Sequence, residues 1–185
     1  LVEKAENLKE IFNKKFVITD PDGNTYLAFK IDGEGNQFKS VRSSMGHVLW
    51  ASLNTEDDGE LDCVLDKNLV PAIVKRLLMP DMFEPLAGIR TLSTFSRNYK
   101  PNSYHNGSIW PHDNAMIAEG FEIHGYKEQA EKVRCAILNA IAYFETPIEL
   151  FVYNGNFTDW SGPTGQRSCR KQAWSAAAIL DSAAG

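Results

Sequence analysis

The strongest constraint on this chain is an alternation between two kinds of helical periodicity. Six segments are competent to form helices. Three are amphipathic. Leu1, Ala5, Leu8 and Phe12 fall on one face, with Glu3, Lys4, Glu6, Lys9 and Glu10 elsewhere. Residues 67–79 set Val70, Ile73, Val74, Leu77 and Leu78 against a wet side carrying Lys75 and Arg76. Residues 127–144 carry an apolar stripe of Ala130, Val133, Ile137, Ile141 and Phe144, with Lys127, Glu128, Glu131, Lys132 and Arg134 mostly off it. The other three segments, 46–54, 113–124 and 172–184, are apolar nearly all round. A helix of that kind in a globular protein is enclosed by other elements. The order runs wet, buried, wet, buried, wet, buried. It predicts helical hairpins with one helix outside and one inside.

Each buried helix opens on polar and aromatic residues: Ser44–His47 with Trp50, then Tyr104–Asn114, then Lys171–Trp174. His47, His112 and Gln172 lie 65 and 60 residues apart, a weak quasi-repeat that suggests stacked hairpins. Between the helices, residues 18–29 read as a β-hairpin about a Pro21-Asp22-Gly23 turn. Residues 80–111 and 145–170 are long, mixed connections of the sort that carry function or short structure of their own. No low-complexity linker divides the 185 residues, so one domain is expected.

Composition narrows the function classes. The net charge is −5, and no basic cluster exceeds two consecutive residues, which argues against nucleic acid or an anionic membrane as partner. No apolar run approaches the roughly 20 residues of a membrane span. Cys63, Cys135 and Cys169 are odd in number and far apart, which disfavours disulfides and favours a reducing, cytoplasmic setting.

The segment Ser103–Ala115 gathers two His, one Asp, two Asn, Tyr and Trp at the start of a buried helix. Aromatic faces suit the apolar faces of a sugar ring, and Asp, His and Asn suit its hydroxyls. Taken singly, Asp113 or Asn114 reads as a helix cap and the aromatics as core. Taken together, they read as a site. His105, His112 and Asp113 are metal-ligand types, but their spacing matches no zinc pattern. There is no nucleophile elbow and no phosphate-binding glycine loop, so no cofactor is expected. Further on, Glu149 sits among apolar residues in Pro147-Ile148-Glu149-Leu150-Phe151. A partly desolvated carboxylate suits acid/base work. A helix-end or salt-bridging acid is the other reading, and the residues alone leave both open. Asp159 beside Trp160 is a second candidate acid.

The blocks Gly46–Trp50, Gly88–Ser93, Tyr104–Asn114, Glu149–Phe151 and Gln172–Trp174, in that order, resemble the amylo-α-1,6-glucosidase, glycogen-debranching-like glycosidases. Mannosylglycerate hydrolases and related processing glucosidases are more distant relatives. The resemblance runs from about Phe16 to Leu180. It implies an all-α (α/α)6 toroid of six hairpins, about three of them present here with a small β-hairpin insertion. It implies an inverting hydrolase of α-linked glucosides, such as an oligosaccharide or small glucoside, with no cofactor or metal. Glu149 is the implied general base. His47, Trp50, Arg90, Tyr104, His105, Asn106, Gly107, Trp110, His112, Asp113, Gln172 and Trp174 are the implied sugar-binding residues. The implied general acid lies in an upstream half of the toroid, so residues 1–185 read as the C-terminal portion of one domain. Such a portion is expected to expose apolar flanks and either to self-associate or to be only marginally stable. Relatives carry Pro where Lys171 precedes Gln172, which bears on substrate preference in that loop. A non-catalytic carbohydrate-binding module or a helical scaffold would use the same motifs for binding or packing alone.

Overall fold

The computed structural model of the protein describes residues 2–54 and 61–184. Six helices appear among the described residues: α1 Val2–Phe16, α2 His47–Trp50, α3 Val70–Leu77, α4 Pro111–Ile123, α5 Lys127–Phe144 and α6 Ala173–Ala184. Four two-stranded antiparallel ribbons lie between them where one was expected. They pair β1 Val17–Thr19 with β2 Thr25–Leu27, β3 Leu53–Asn54 with β4 Leu61–Asp62, β5 Phe83–Glu84 with β6 Gly88–Ile89, and β7 Phe151–Tyr153 with β8 Phe157–Asp159. No helix among the described residues is long and apolar enough to cross a membrane. All three cysteines are free, Cys63 buried and the other two exposed.

Helices α2, α4 and α6 form a row with α4 in the middle. Contacts along the row fix its sense. His47 at the start of α2 meets Asp113 near the start of α4, and Trp50 at the end of α2 meets Glu119 further along α4. His112 stacks on Trp174 near the start of α6. All three helices therefore begin at one end of the molecule. Helix α5 packs back along α4 after a turn at Gly125, whose φ of 84° suits glycine. Ala130, Val133, Ile137, Ala140 and Phe144 of α5 are buried, as its stripe requires. The main core joins Leu49, Ile73, Leu77, Met82, Ile117 and Phe121, all fully buried.

Several expectations are corrected. Residues 46–54 do not form one helix. A 3-10 turn over Ser43–Gly46 leads into the four residues of α2, and Leu53 already belongs to β3. Arg76 is not on a wet face; it is buried and bidentate to the equally buried Asp81, at 2.9 and 2.8 Å. Arg134 is likewise buried, held 2.6 Å from Glu122. Helix α1 has no buried residue, and only Phe12 and Phe16, stacked at 4.9 Å, pack against the core. Leu1, placed on its apolar face, lies outside the described residues. Helix α6 is not enclosed. Ser175, Ala178 and Ser182 are its buried side, while Trp174 and Leu180 are 48% and 73% exposed.

The loop between β6 and α4 is tied to α4 by one amide. Asn114 accepts from the Ile89 N–H at 2.6 Å and donates to the Ile89 and Trp110 carbonyls at 3.1 and 3.0 Å. A side chain on Gly88 would collide with it, since a Cβ there would stand 2.7 Å from Asn114 Oδ1. Ile89 is fully buried, so Asn114→Ala strands a buried N–H and C=O. The expected cost is about 3 kcal/mol, a fall of about 6–12 °C in melting temperature for a domain of this size. A melt that stays within about 2 °C of the parent's counts against that role. The exposed apolar residues of α1 and α6 are expected to make the isolated 185-residue chain self-associate with rising concentration; a single monomer species at all concentrations in sedimentation velocity counts against this.

Candidate active site

The row's common starting end opens into a cleft of about 680 Å³. Pro111 opens α4, and its ring fits the first helical turn, where no N–H partner is needed. Neither Asp113 nor Asn114 caps the helix; the cap position is Trp110. The next turn thus delivers His112 and Asp113 to the cleft wall. His47 Nε2 donates to Asp113 Oδ1 at 2.6 Å. Asp113 Oδ2 and His112 Nδ1 are buried without a hydrogen-bond partner. Two residues of one cleft wall thus each keep a buried polar atom without a partner.

The aromatic wall is built from ring on ring. His105 stacks on Trp110 at 5.8 Å, and His112 stacks on Trp174 at 4.6 Å. Tyr104 meets Trp110 edge-on at 4.8 Å. Its hydroxyl donates to Glu149 Oε1 at 2.6 Å, and the Cys169 N–H donates to Glu149 Oε2 at 2.9 Å. Glu149 is half-buried, one hydrogen bond behind the Tyr104 side of the cleft. Burial and then the bond to Glu149 push the Tyr104 phenol up to about 12, so it stays a donor.

The two cleft histidines are driven apart. Burial works to lower His47, but its bond to Asp113 and that carboxylate's charge outweigh burial and raise it. Burial lowers His112; the Asp113 charge opposes it, His47 lowers it further by a smaller amount, and Glu149 opposes most weakly. His112 is thus held towards the neutral form and His47 towards the cation.

Of the sequence-derived residues, Tyr104, His105, Asn106, Trp110, His112, Asp113 and Trp174 line the cleft. His47 reaches it through Asp113. Gly107 serves the backbone instead. Its N–H donates to Thr91 Oγ1 at 3.0 Å, and a Cβ would stand 2.5 Å from the Lys100 carbonyl. Three residues are elsewhere. The Trp50 indole N–H is bound to Glu119 at 2.7 Å, deeper along the row. Arg90 is buried and bound to Glu84 at 3.1 Å, because its backbone bridges to Ile109 and turns its side chain away from the cleft. Gln172 is placed by its backbone N–H on the Pro147 carbonyl, at 2.9 Å. Asp159, the second candidate acid, is ion-paired to Arg170 at 2.7 Å.

Phe29, Arg42, Ser43, Ser44 and Thr91 also line the cleft. Of these, Ser44 carried a signal as the opening of a buried helix, and Thr91 as part of the Gly88–Ser93 block. Arg42 donates to the His105 carbonyl at 2.9 Å and to Asn106 Oδ1 at 2.8 Å, with its guanidinium over the Phe29 ring at 4.4 Å. Its Nε is buried without a partner, and burial lowers it with no carboxylate acting in the opposite direction. Among the described residues, no three His, Cys, Asp or Glu side chains are grouped to hold a metal ion.

The sequence profile of the mannosylglycerate hydrolase MGH1-like glycoside hydrolase domain matches residues 20–147. No curated protein matches the chain. Among solved structures, a GH63 mannosylglycerate hydrolase from Thermus thermophilus, in complex with Tris, is similar with a TM-score of 0.60 at 17% identity. The match covers 98% of this chain and 36% of that one. An uncharacterized conserved protein from Thermus thermophilus matches with a TM-score of 0.56 at 18% identity, over 97% of this chain and 38% of that one. The chain thus spans little more than a third of the structures it matches, and at this identity the likeness is one of fold. The matches name mannosylglycerate hydrolases, the more distant resemblance of the sequence, and lend no support to the amylo-α-1,6-glucosidase reading.

The His47–Asp113 pair gives a stability signature. The folded pKa of His47 lies above the unfolded value of about 6.5. The added stability is fully present below the unfolded value and is lost as pH rises through the folded one. Asp113→Asn should therefore lower the melting temperature more at about pH 6 than at about pH 9, on either side of that window. An equal loss at both pH values removes the charge-assisted pair from the account.

Proposed function

The chain belongs to the mannosylglycerate hydrolase MGH1-like glycoside hydrolase family, and from that footing we propose that it is the C-terminal portion of an inverting glycosidase domain with Glu149 as general base. The remaining hairpins of the toroid supply the general acid and close the flanks of α1 and α6. The observation that carries this reading is the half-buried Glu149 carboxylate, held by two donors beside an aromatic-walled cleft whose wall residues Asp113 and His112 keep buried polar atoms unpaired. One sugar ring lies against Trp110 and Trp174, and its hydroxyls meet Asp113 and His112. Glu149 takes a proton from water as the water oxygen attacks the anomeric carbon. The acid on the opposite face protonates the departing glycosidic oxygen, so the released sugar has inverted configuration.

Arg42 favours one class of leaving group. A half-buried guanidinium with no carboxylate beside it among the described residues is an incomplete ion pair. A small glycoside whose aglycone is a hydroxy acid, as mannosylglycerate is, would complete it. A branched α-glucan would leave it unpaired.

The test uses the full-length protein with mannosylglycerate. The expected product is the sugar of inverted anomeric configuration, seen by proton NMR before mutarotation. Glu149→Gln should lower turnover roughly 10²–10⁴-fold while calorimetry still detects substrate binding. Turnover near the parent's removes Glu149 from the base role. Hydrolysis of the aglycone methyl ester as efficiently as the free acid would remove the ion pair with Arg42.

A further inference from the structure

We propose that Tyr104 is a positioning residue for Glu149: its hydroxyl and the Cys169 N–H together fix the carboxylate, one donor on each oxygen. This rests on the reading of Glu149 as base. A free glutamate side chain samples several rotamers, and a base out of line with its water is slow. Here both oxygens are held, at 2.6 Å by Tyr104 and 2.9 Å by Cys169.

Each donor is itself immobilised by a different part of the chain. The Tyr104 ring is gripped edge-on by Trp110 and Trp160, both at 4.8 Å. Trp160 is in turn pinned by its indole N–H on the Asn102 carbonyl at 2.8 Å. The Tyr104 carbonyl accepts from Ser108 Oγ at 2.7 Å and Trp110 Nε1 at 3.2 Å. On the far side, residues 169–172 run as a strap along 147–149. Glu149 N–H donates to the Cys169 carbonyl at 2.8 Å, and Gln172 N–H to the Pro147 carbonyl at 2.9 Å. Arg170 fastens the strap to Asp159 at 2.7 Å and to the Phe144 carbonyl at 3.2 Å. The carboxylate thus sits in a frame with no soft side.

The polarity of the frame is fixed as well. Tyr104 remains protonated at every pH at which a glycosidase operates, so the bond runs one way only.

In the full-length enzyme, Tyr104→Phe keeps the ring and removes the hydroxyl. The expected result is a kcat lower by roughly ten- to a hundredfold and a KM within about threefold of the parent's. A role limited to sugar contact would instead raise KM and leave kcat near the parent's, which overturns the proposal. Should Tyr104→Phe fail to fold, 3-fluorotyrosine at position 104 keeps both the ring and the donor, and kcat should then stay within about threefold of the parent's. A tenfold or larger loss with that replacement, or a parent-like kcat in Tyr104→Phe, overturns the proposal too. Glu149→Gln assayed in parallel separates the two readings. If it retains turnover, the base assignment fails; if it does not and the Tyr104 replacements behave as the parent, the positioning role alone fails.

Discussion

One buried amide decides where the site is. Asn114 clasps Ile89 through both its N–H and its C=O, across 25 residues of sequence. Ile89 precedes Arg90, whose backbone bridges to Ile109, and Ile109 in turn bridges to Phe151. Ile109 and Phe151 exchange hydrogen bonds at 2.9 and 3.0 Å. A line of three extended segments, two of them too short to count as strands at this point, thus runs from α4 to the segment that carries Glu149. Tyr104 lies just before the middle segment and Glu149 just before the last. Their hydrogen bond follows from the register of that line.

Side-chain alternation along the last segment reinforces the same register. Phe151 and Tyr153 join a cluster with Ile109, Ile137 and Phe144. Leu150 and Val152 point the other way, to Trp110 and Trp160 beneath Tyr104. A slip of one residue would exchange these two sets and carry Glu149 away from the phenol. The packing of α5 and the hydrogen bonding of the base are therefore one constraint seen from two sides.

The parts of this fold that were legible in the sequence are those set by local periodicity. Residues 127–144 form α5 with the predicted bounds, because the stripe, the Gly125 stop and the charged first turn agree. The hairpin at 18–29 forms because Asp20 accepts the N–H groups of Asp22 and Asn24 and Gly23 takes a φ of 82°. The clustering of Tyr104, Trp110, His112 and Asp113 pointed to a cleft before any contact was known. What was not legible depends on partners distant in sequence. Arg76 is buried because Asp81, itself bound by Ser93, meets it, and Trp50 faces Glu119 because α2 is only four residues long. Arg42 carried no motif. Its place at the cleft comes from the His105 carbonyl and Asn106, more than sixty residues on.

The electrostatics of the cleft follow from the same geometry rather than from overall composition. The chain is acidic, yet its cleft holds a guanidinium with no carboxylate beside it among the described residues, one histidine raised by a carboxylate and another kept towards neutral by burial. Buried charge is costly unless it is met. Asp113 meets His47 with one oxygen and leaves the other open, and Arg42 is met only by a carbonyl and an amide oxygen. Glu149, by contrast, has a donor on each oxygen. Of Asp113 and Glu149, the acid assigned to chemistry is thus the one the fold holds more completely, and the groups assigned to binding are those it leaves with spare capacity. That division is physically sensible. A base must not move between turnovers, whereas a binding group must still have a hydrogen bond to offer.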